Sequence, residues 1–189
     1  MASGIKYTSL DRYVESYCQY IIRQAKHRLS KKDVTGTLSS SLDFEIKKDK
    51  NKWTLEFSGV KYADFVNKGV QGTKGTRTYI DLEGNRKRSP YKFKTGKENA
   101  PPPSKLRDWA KARGLKGRDK LGRFITDEAF GFALSRGIQK AGTPAASFYT
   151  QPISYSFNVF KQKIQEHIKI DIEIVSISYI SIIDIRYSP

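Results

Sequence analysis

The feature that most constrains the fold is a long apolar stripe near the N-terminus. Between Ser9 and Leu29, apolar side chains recur at spacings of three and four residues, which places them on one face of a helix. The stripe consists of Leu10, Tyr13, Val14, Tyr17, Cys18, Ile21, Ala25 and Leu29. An amphipathic helix of this length needs another element to cover its apolar face. The sequence therefore predicts a long N-terminal helix packed against further structure.

Two segments with a period of two follow this helix and predict β-hairpins. Apolar and polar residues alternate over 42–47 and again over 53–58, which is typical of strands with one solvated face. A second hairpin is predicted over 77–82 and 86–93, with its turn at 83–85. The antiparallel strands supply the β part of the fold.

Further helices are predicted in the second half of the chain. Their bounds are 104–113, then Thr126 to Gly142, and then about 153–168. Thr126 suits the capping position of the second of these helices, and Gly142 suits its end. Helices and hairpins together predict an α+β fold.

Isoleucines dominate the C-terminal tail and alternate with polar residues. The alternation changes phase near Val175, which is typical of a bulge or of a change of strand partner. We therefore expect an antiparallel β-sheet of hairpins packed against the long N-terminal helix and two or three further helices, with a C-terminal β arm. The expected organisation is an α+β domain over 1–168, with an inserted basic loop region at about 70–125, and a β-strand extension over 169–189.

Positive charge is concentrated in the middle of the chain. The 189 residues carry a net charge of +16, and residues 61–125 contain 18 Lys and Arg against 6 Asp and Glu. Such a segment attracts a polyanion, which can be nucleic acid, an anionic membrane surface or an acidic protein. Aromatic residues are interleaved with its cations at Tyr79, Tyr91 and Phe93. The residues expected to contact DNA or an acidic partner are Lys74, Arg77, Arg86, Lys87, Arg88, Lys92, Lys94 and Lys97.

Sequence patterns that carry catalysis or bind cofactors and metals are missing. His27 and His167 are far apart and have no cysteine cluster beside them, and the glycine-rich segment 69–76 lacks the spacing of a phosphate-binding loop. Cys18 has no partner for an internal disulfide. No apolar run is long enough to span a bilayer. We expect a non-enzymatic protein without cofactor, metal or membrane contact, which assembles in a reducing cytoplasm.

Three short motifs resemble a known family when they are taken in order. They are the Thr-Gly-Thr-Leu-Ser-Ser-Ser-Leu run at 35–42, the Tyr-Ala-Asp-Phe-Val-Asn-Lys-Gly run at 62–69, and the segment from Gly142 to Pro152. Their order and spacing resemble the tailed-bacteriophage neck family, the minor head-tail joining or tail-completion proteins, over about residues 5–165. Asn67 stands where that family usually has Glu, and Phe148-Tyr149 replaces its Pro-Phe-Leu run.

The resemblance implies a structural virion protein of the head-tail connector, assembled in the host cytoplasm. It implies a homo-oligomeric ring, with about six or twelve copies, that contacts a portal or head-completion protein and tail proteins and encloses the genomic double-stranded DNA. Contacts between subunits are expected at two sets of side chains. These are Tyr62, Phe65, Val66, Phe148 and Tyr149 in the motifs, and Ile170, Ile172, Ile174, Ile177 and Tyr179 in the tail.

Other functions also fit the residues. One is a free double-stranded DNA-binding protein that uses the basic 74–97 segment, and another is a tail terminator or other minor virion protein. A dedicated DNA binder is expected to bind random duplex alone, with an affinity that falls steeply with salt.

Overall fold

The chain folds into helices and short antiparallel strands, as its sequence predicts. The computed structural model describes residues 8–30, 33, 35–49 and 52–186, with side chains described as far as Asp171. The helices are α1 (Thr8–Leu29), α2 (Thr37–Ser40), α3 (Ala63–Lys68), α4 (Pro103–Ala112), α5 (Asp127–Ala141) and α6 (Thr150–Arg186), with a 3-10 turn at Lys97–Asn99. The strands are β1 (Asp43–Asp49), β2 (Lys52–Ser58), β3 (Val70–Gln71), β4 (Thr78–Ile80), β5 (Arg86–Arg88) and β6 (Gly142–Thr143). The α+β class is confirmed.

Helix α1 lies at the centre of the packing, and its apolar stripe is buried apart from the half-buried Tyr13. Helix α6 runs antiparallel to α1. Arg28, near the end of α1, donates a hydrogen bond to Gln151 at the start of α6, and the backbone N–H of Ser9, near the start of α1, donates to Asp171 further along α6. The β1–β2 hairpin covers the same stripe with its apolar face, Ile46, Trp53, Leu55 and Phe57. On β2 every second residue faces this core, which is the consequence of the period of two, while β1 contributes Ile46.

The two predicted hairpins are confirmed, but they do not join into one sheet. Strands β1 and β2 pair along their whole length, and β4 pairs with β5. Strand β3 pairs instead with β6. Between the hairpins the chain passes the end of α5, so the second hairpin lies against other elements than the first does. The described residues contain three separate two-stranded sheets.

Helices α4 and α5 pack on each other and contribute no residue to the two buried apolar clusters of the described chain. Gly131 allows the close approach, because a Cβ at this position would lie 2.7 Å from the carbonyl oxygen of Pro103. Ser135 adds a hydrogen bond of 2.6 Å to the carbonyl oxygen of Pro101. The pair forms a helical module beside the core built on α1.

The predicted C-terminal β arm is wrong, because the backbone of α6 stays helical as far as Arg186. No Gly or Pro occurs between Ile153 and Arg186 to interrupt the helical hydrogen bonds once the helix has begun. Packing against α1 also favours the helix, since Asp171 reaches the first turn of α1. Alternating isoleucines indicate a strand only where another strand is available to pair with, and α6 has a helix as its neighbour.

Candidate binding surface

The three sequence motifs meet at the end of α3. The backbone N–H of Ala146 donates to the carbonyl oxygen of Val66, and that of Ser147 donates to the carbonyl oxygen of Asn67, both at 2.9 Å. The buried Asn67 side chain accepts a third hydrogen bond, of 3.1 Å, from the backbone N–H of Tyr149. Asn67 thus holds the third motif against the second.

The first motif joins this junction through apolar contacts. Leu38 and Leu42 share a buried cluster with Phe148, Ala25 and Leu29, and residues of α3 pack against its edge. Phe148 is fully buried there, so its predicted place at a subunit interface is wrong. A phenyl ring inside the core has no surface left for a neighbouring chain.

The other predicted interface residues of the motifs lie at or near the surface. Tyr62 and Phe65 are 45% and 44% exposed, and Val66 is half-buried. Tyr149 is half-buried and donates from its hydroxyl to the carbonyl oxygen of Ser58 at 2.7 Å. Burial raises the pKa of Tyr149 to about 12. Among the tail residues, Ile170 is 42% exposed on α6. The side chains of Ile172, Ile174, Ile177 and Tyr179 lie outside the described residues.

A polar cluster connects α3 to the basic segment. The hydroxyl of Tyr91 donates to the carboxylate of Asp64, and Lys68 Nζ lies 2.9 Å from the same oxygen. The hydrogen bond to the Asp64 carboxylate raises the pKa of Tyr91. The rings of Phe65 and Tyr91 also pack against each other, with centroids 4.3 Å apart. Tyr91 therefore fixes the path of the basic segment beside the second motif.

The glycine-rich segment binds the end of α5 instead of a phosphate. The backbone N–H groups of Thr73, Lys74 and Gly75 donate to carbonyl oxygens in the last turn of α5, at 2.9, 3.1 and 3.0 Å. Helices leave their last carbonyl groups without internal partners, and this loop satisfies them. A Cβ at Gly72 would lie 2.1 Å from the carbonyl oxygen of Lys140. Close approach of two backbones explains why glycines occur here.

Two of the eight predicted contact residues are engaged within the chain. Arg77 donates from Nε to the carbonyl oxygen of Ala141 at 2.9 Å and from Nη2 to that of Gly142 at 3.1 Å, which caps α5. Lys87 lies 2.7 Å from the carboxylate of the buried Asp81. The hydrogen bond from Lys87 lowers the pKa of Asp81. Both cations serve to hold the second hairpin.

The remaining six cations are exposed and have no carboxylate partner among the described residues. They are Lys74, Arg86, Arg88, Lys92, Lys94 and Lys97. Arg86 and Arg88 share one face of β5, while Lys87 points to the other. We call these six residues the free basic set, because their charges face solvent.

Sequence reasoning missed a second exposed surface at the far end of α4. The loop over 117–125 carries Leu121, which is 77% exposed, and Phe124, which is 61% exposed. Arg118 places its guanidinium carbon 3.9 Å from the centroid of the Phe124 ring. The sequence signal is the turn at Lys120-Leu121-Gly122 between cations, which predicts a turn but not how far its apolar side chains are exposed.

No model of a known protein family, no curated protein and no solved structure matches this chain significantly. Among the residues that the structure describes, no group of His, Cys, Asp and Glu side chains is arranged to hold a metal ion. Within those same residues, none of the helices combines the length and apolar character that a membrane crossing needs.

Proposed function

We propose that this chain is a structural protein of the neck of a tailed bacteriophage. In this proposal, copies of the chain form a ring between the portal side and the tail, and double-stranded DNA passes through the ring. The observation that carries the proposal is the junction at the end of α3, where the three motifs behind the resemblance contact one another.

Each motif alone gives weak support to the resemblance to the neck family, and contact among the three motifs strengthens it. A match to a short motif is a hypothesis that the structural context of the motif can support. Here the motifs are separated along the chain, yet Asn67 binds the backbone of Tyr149, and Leu38 shares a cluster with Phe148. Gly36 has φ of 71°, a conformation that favours glycine, just before α2. These structural roles of the motif residues support the resemblance.

The free basic set supplies a surface for partners in the neck. Repeated around a ring, six exposed cations per copy would bind DNA phosphates tightly, with an affinity that depends strongly on salt. Tight binding opposes passage of the DNA. We therefore place most of this charge against an acidic neighbouring protein ring and only part of it toward the DNA.

A free duplex DNA-binding protein is the second candidate, and one observation favours it. Arg86 and Arg88 are exposed on one face of a hairpin without a carboxylate partner among the described residues. The affinity for random duplex distinguishes the candidates. A dedicated binder holds duplex alone at physiological salt with a steep salt slope, whereas a neck protein binds it poorly until it is assembled.

The proposal is tested by electron microscopy of phage particles that carry a gold-labelled tag on this chain. We expect label at the head-tail junction only. A variant with Arg86→Ala and Arg88→Ala is expected to lower the number of tailed particles, because it removes free cations. The matched control is Arg12→Ala with Lys26→Ala, which removes two exposed cations of α1 that lie outside the basic segment. Label absent from the junction would overturn the proposal.

A further inference from the structure

Two exposed aromatic rings of the helical module each have a cation over the ring. The guanidinium carbon of Arg118 lies 3.9 Å from the centroid of the Phe124 ring, and Lys116 Nζ lies 5.9 Å from the same centroid. The guanidinium carbon of Arg113 lies 5.1 Å from the centroid of the Trp109 ring. Phe124 is 61% exposed and Trp109 is 38% exposed. Each pair presents a flat apolar surface and a positive charge at the same place.

The segment that carries these rings is strongly basic. Residues 105–123 contain eight Lys and Arg against two Asp, and both Asp carboxylates are already paired with arginines of the segment. Lys116, Arg118 and Lys120 are exposed and have no carboxylate partner among the described residues. A phosphate group would therefore meet positive charge here without displacing an internal ion pair.

The loop over 117–125, which carries Phe124, is held by backbone hydrogen bonds. The backbone N–H groups of Leu121 and Arg123 donate to Oδ1 of Asp119, both at 2.9 Å, and the backbone N–H of Asp119 donates to the carbonyl oxygen of Arg123 at 2.9 Å. None of these hydrogen bonds involves the Phe124 ring. The loop is ordered before a ligand binds, which lowers the entropy cost of binding. The ring can also be removed while the hydrogen bonds of the loop remain.

The free basic set lacks this combination of charge and exposed rings. The aromatic residues interleaved with it, Tyr79, Tyr91 and Phe93, are half-buried. The ring of Tyr91 also packs against that of Phe65, with centroids 4.3 Å apart. The free basic set thus offers charge to a polyanion, with less ring surface than the segment after α4 offers.

We infer that Trp109, Phe124 and the cations beside them bind single-stranded nucleic acid, either DNA or RNA. Unpaired bases stack on exposed aromatic rings and on arginine guanidinium groups, while lysines and arginines contact the phosphates. A duplex keeps its bases stacked inside the helix, so it can use the cations of this surface but not its rings. The inference goes beyond the proposed function and does not depend on the assembly of copies into a ring.

The test compares ligands that share charge and differ in their bases. Binding of the full chain is measured for dT and rU single strands of about 20 nucleotides, a DNA duplex of the same length, heparin and polyglutamate. Phe124→Ala is expected to weaken binding of the single strands about tenfold, because it removes a stacking surface. Binding of the duplex, heparin and polyglutamate is expected to stay nearly unchanged, because the cations remain.

Phe132→Ala is the matched control for the loss of a ring. Phe132 is a phenylalanine of the same helical module, on α5, and is 57% exposed. It lines a surface hollow together with Glu128, whose carboxylate repels phosphate. The control variant is expected to bind every ligand like the unaltered chain. Lys116→Ala with Lys120→Ala is the complementary variant, and it is expected to reduce the slope of log affinity against log salt by about 1.4 for the single strands.

Tryptophan fluorescence gives a second measurement. A base that stacks on Trp109 is expected to quench its emission, whereas heparin, which has no bases, is expected to leave it nearly unchanged. Trp109→Phe keeps an aromatic ring, so it is expected to retain most of the affinity for single strands and to lose the quenching. Trp53 supplies the remaining emission in that variant.

Several results would overturn the inference. One is single-strand binding that is unaltered in Phe124→Ala while the circular dichroism is unchanged, and another is quenching by heparin as strong as that by dT. Equal losses of single-strand and duplex binding in Phe124→Ala would assign the surface to duplex DNA, and loss of polyglutamate binding alone would assign it to an acidic protein. Loss of dT binding without loss of rU binding, or the reverse, would leave the inference standing and identify the nucleic acid. Label absent from the head-tail junction would remove the neck function, while these affinities would still decide the single-strand site.

Discussion

Asp171 reaches from α6 to cap the first turn of α1, and its replacement is the sharpest test of the packing described above. One carboxylate oxygen accepts from the backbone N–H of Ser9 at 2.9 Å, and the other accepts from that of Leu10 at 3.0 Å. The side chain is buried, with 3% of the residue exposed. The first backbone N–H groups of a helix have no internal partners, and their dipoles favour a negative charge. Asp171→Ala leaves both amides without this acceptor.

The expected loss follows from these contacts. Hydrogen bonds to a charged group contribute about 1.5–3 kcal/mol, and a charge at a helix N-terminus contributes about 0.3–1 kcal/mol more. We therefore expect Asp171→Ala to lower the free energy of unfolding by about 2–4 kcal/mol, which lowers Tm by roughly 4–16 °C for a chain of this size. Asp171→Asn keeps an acceptor oxygen and loses the charge, so its effect is expected to be about half as large.

Urea unfolding followed by circular dichroism measures the change. The matched control is Glu166→Ala, which removes a carboxylate from an exposed ion pair with Lys163 on the same helix. Exposed pairs contribute up to about 1 kcal/mol. An Asp171→Ala variant as stable as Glu166→Ala would refute the packing of α6 on α1. The same result would favour the strand that the sequence predicts for the tail, since Asp171 reaches the start of α1 only if α6 continues as a helix.

Three further variants or labels test other parts of the fold. Gly72→Ala is expected to lower the free energy of unfolding by about 1–3 kcal/mol, because a Cβ there would collide with a carbonyl oxygen of α5. Gly137→Ala, where a Cβ on α5 would meet open space, is expected to raise it by about 0.5–1 kcal/mol. Equal effects of the two variants in urea unfolding would contradict the close approach of Gly72 to α5. Cys18 is fully buried, and burial raises the pKa of its thiol to about 11. A thiol reagent at about pH 8 is therefore expected to label Cys18 only after the chain unfolds. Rapid labelling of the folded chain would show that α1 does not bury this face. Arg77→Ala is expected to lower the stability of the chain, while the dependence of heparin affinity on salt concentration stays nearly unchanged. Arg86→Ala is expected to reduce the slope of log affinity against log salt by about one and to leave stability unchanged. The reverse pattern would mean that Arg77 and not Arg86 faces the polyanion.

Local patterns predicted most of the elements correctly. The stripe that ends at Leu29 is a helix, the alternation around Phe44 and Phe57 is a hairpin, and Thr126 accepts a hydrogen bond from the backbone N–H of Ala129 at the start of α5. These predictions succeeded because the spacing of apolar residues and the capping side chain act within a few positions of the chain. The α4 and α5 helices were predicted for the same reason.

The tail was predicted wrongly because its structure depends on a neighbour. Alternating isoleucines around Ile170 fit a strand when an edge is available, and α6 instead has α1 beside it. Which of two backbone conformations forms is then decided by the contacts of Asp171 and of the residues before it. No pattern within the tail contains that information.

Charge shows the same division between sequence and tertiary structure. The sequence alone determined that the middle of this chain is strongly basic, since charge depends only on residue type. Only the tertiary structure decided which cations are available, because a distant carbonyl at Ala141 engages Arg77, a buried Asp81 engages Lys87, and neither engages Arg86. The physical reason is that charge is a property of each residue, whereas the partner that satisfies it is brought close by the folding of residues far apart in the chain.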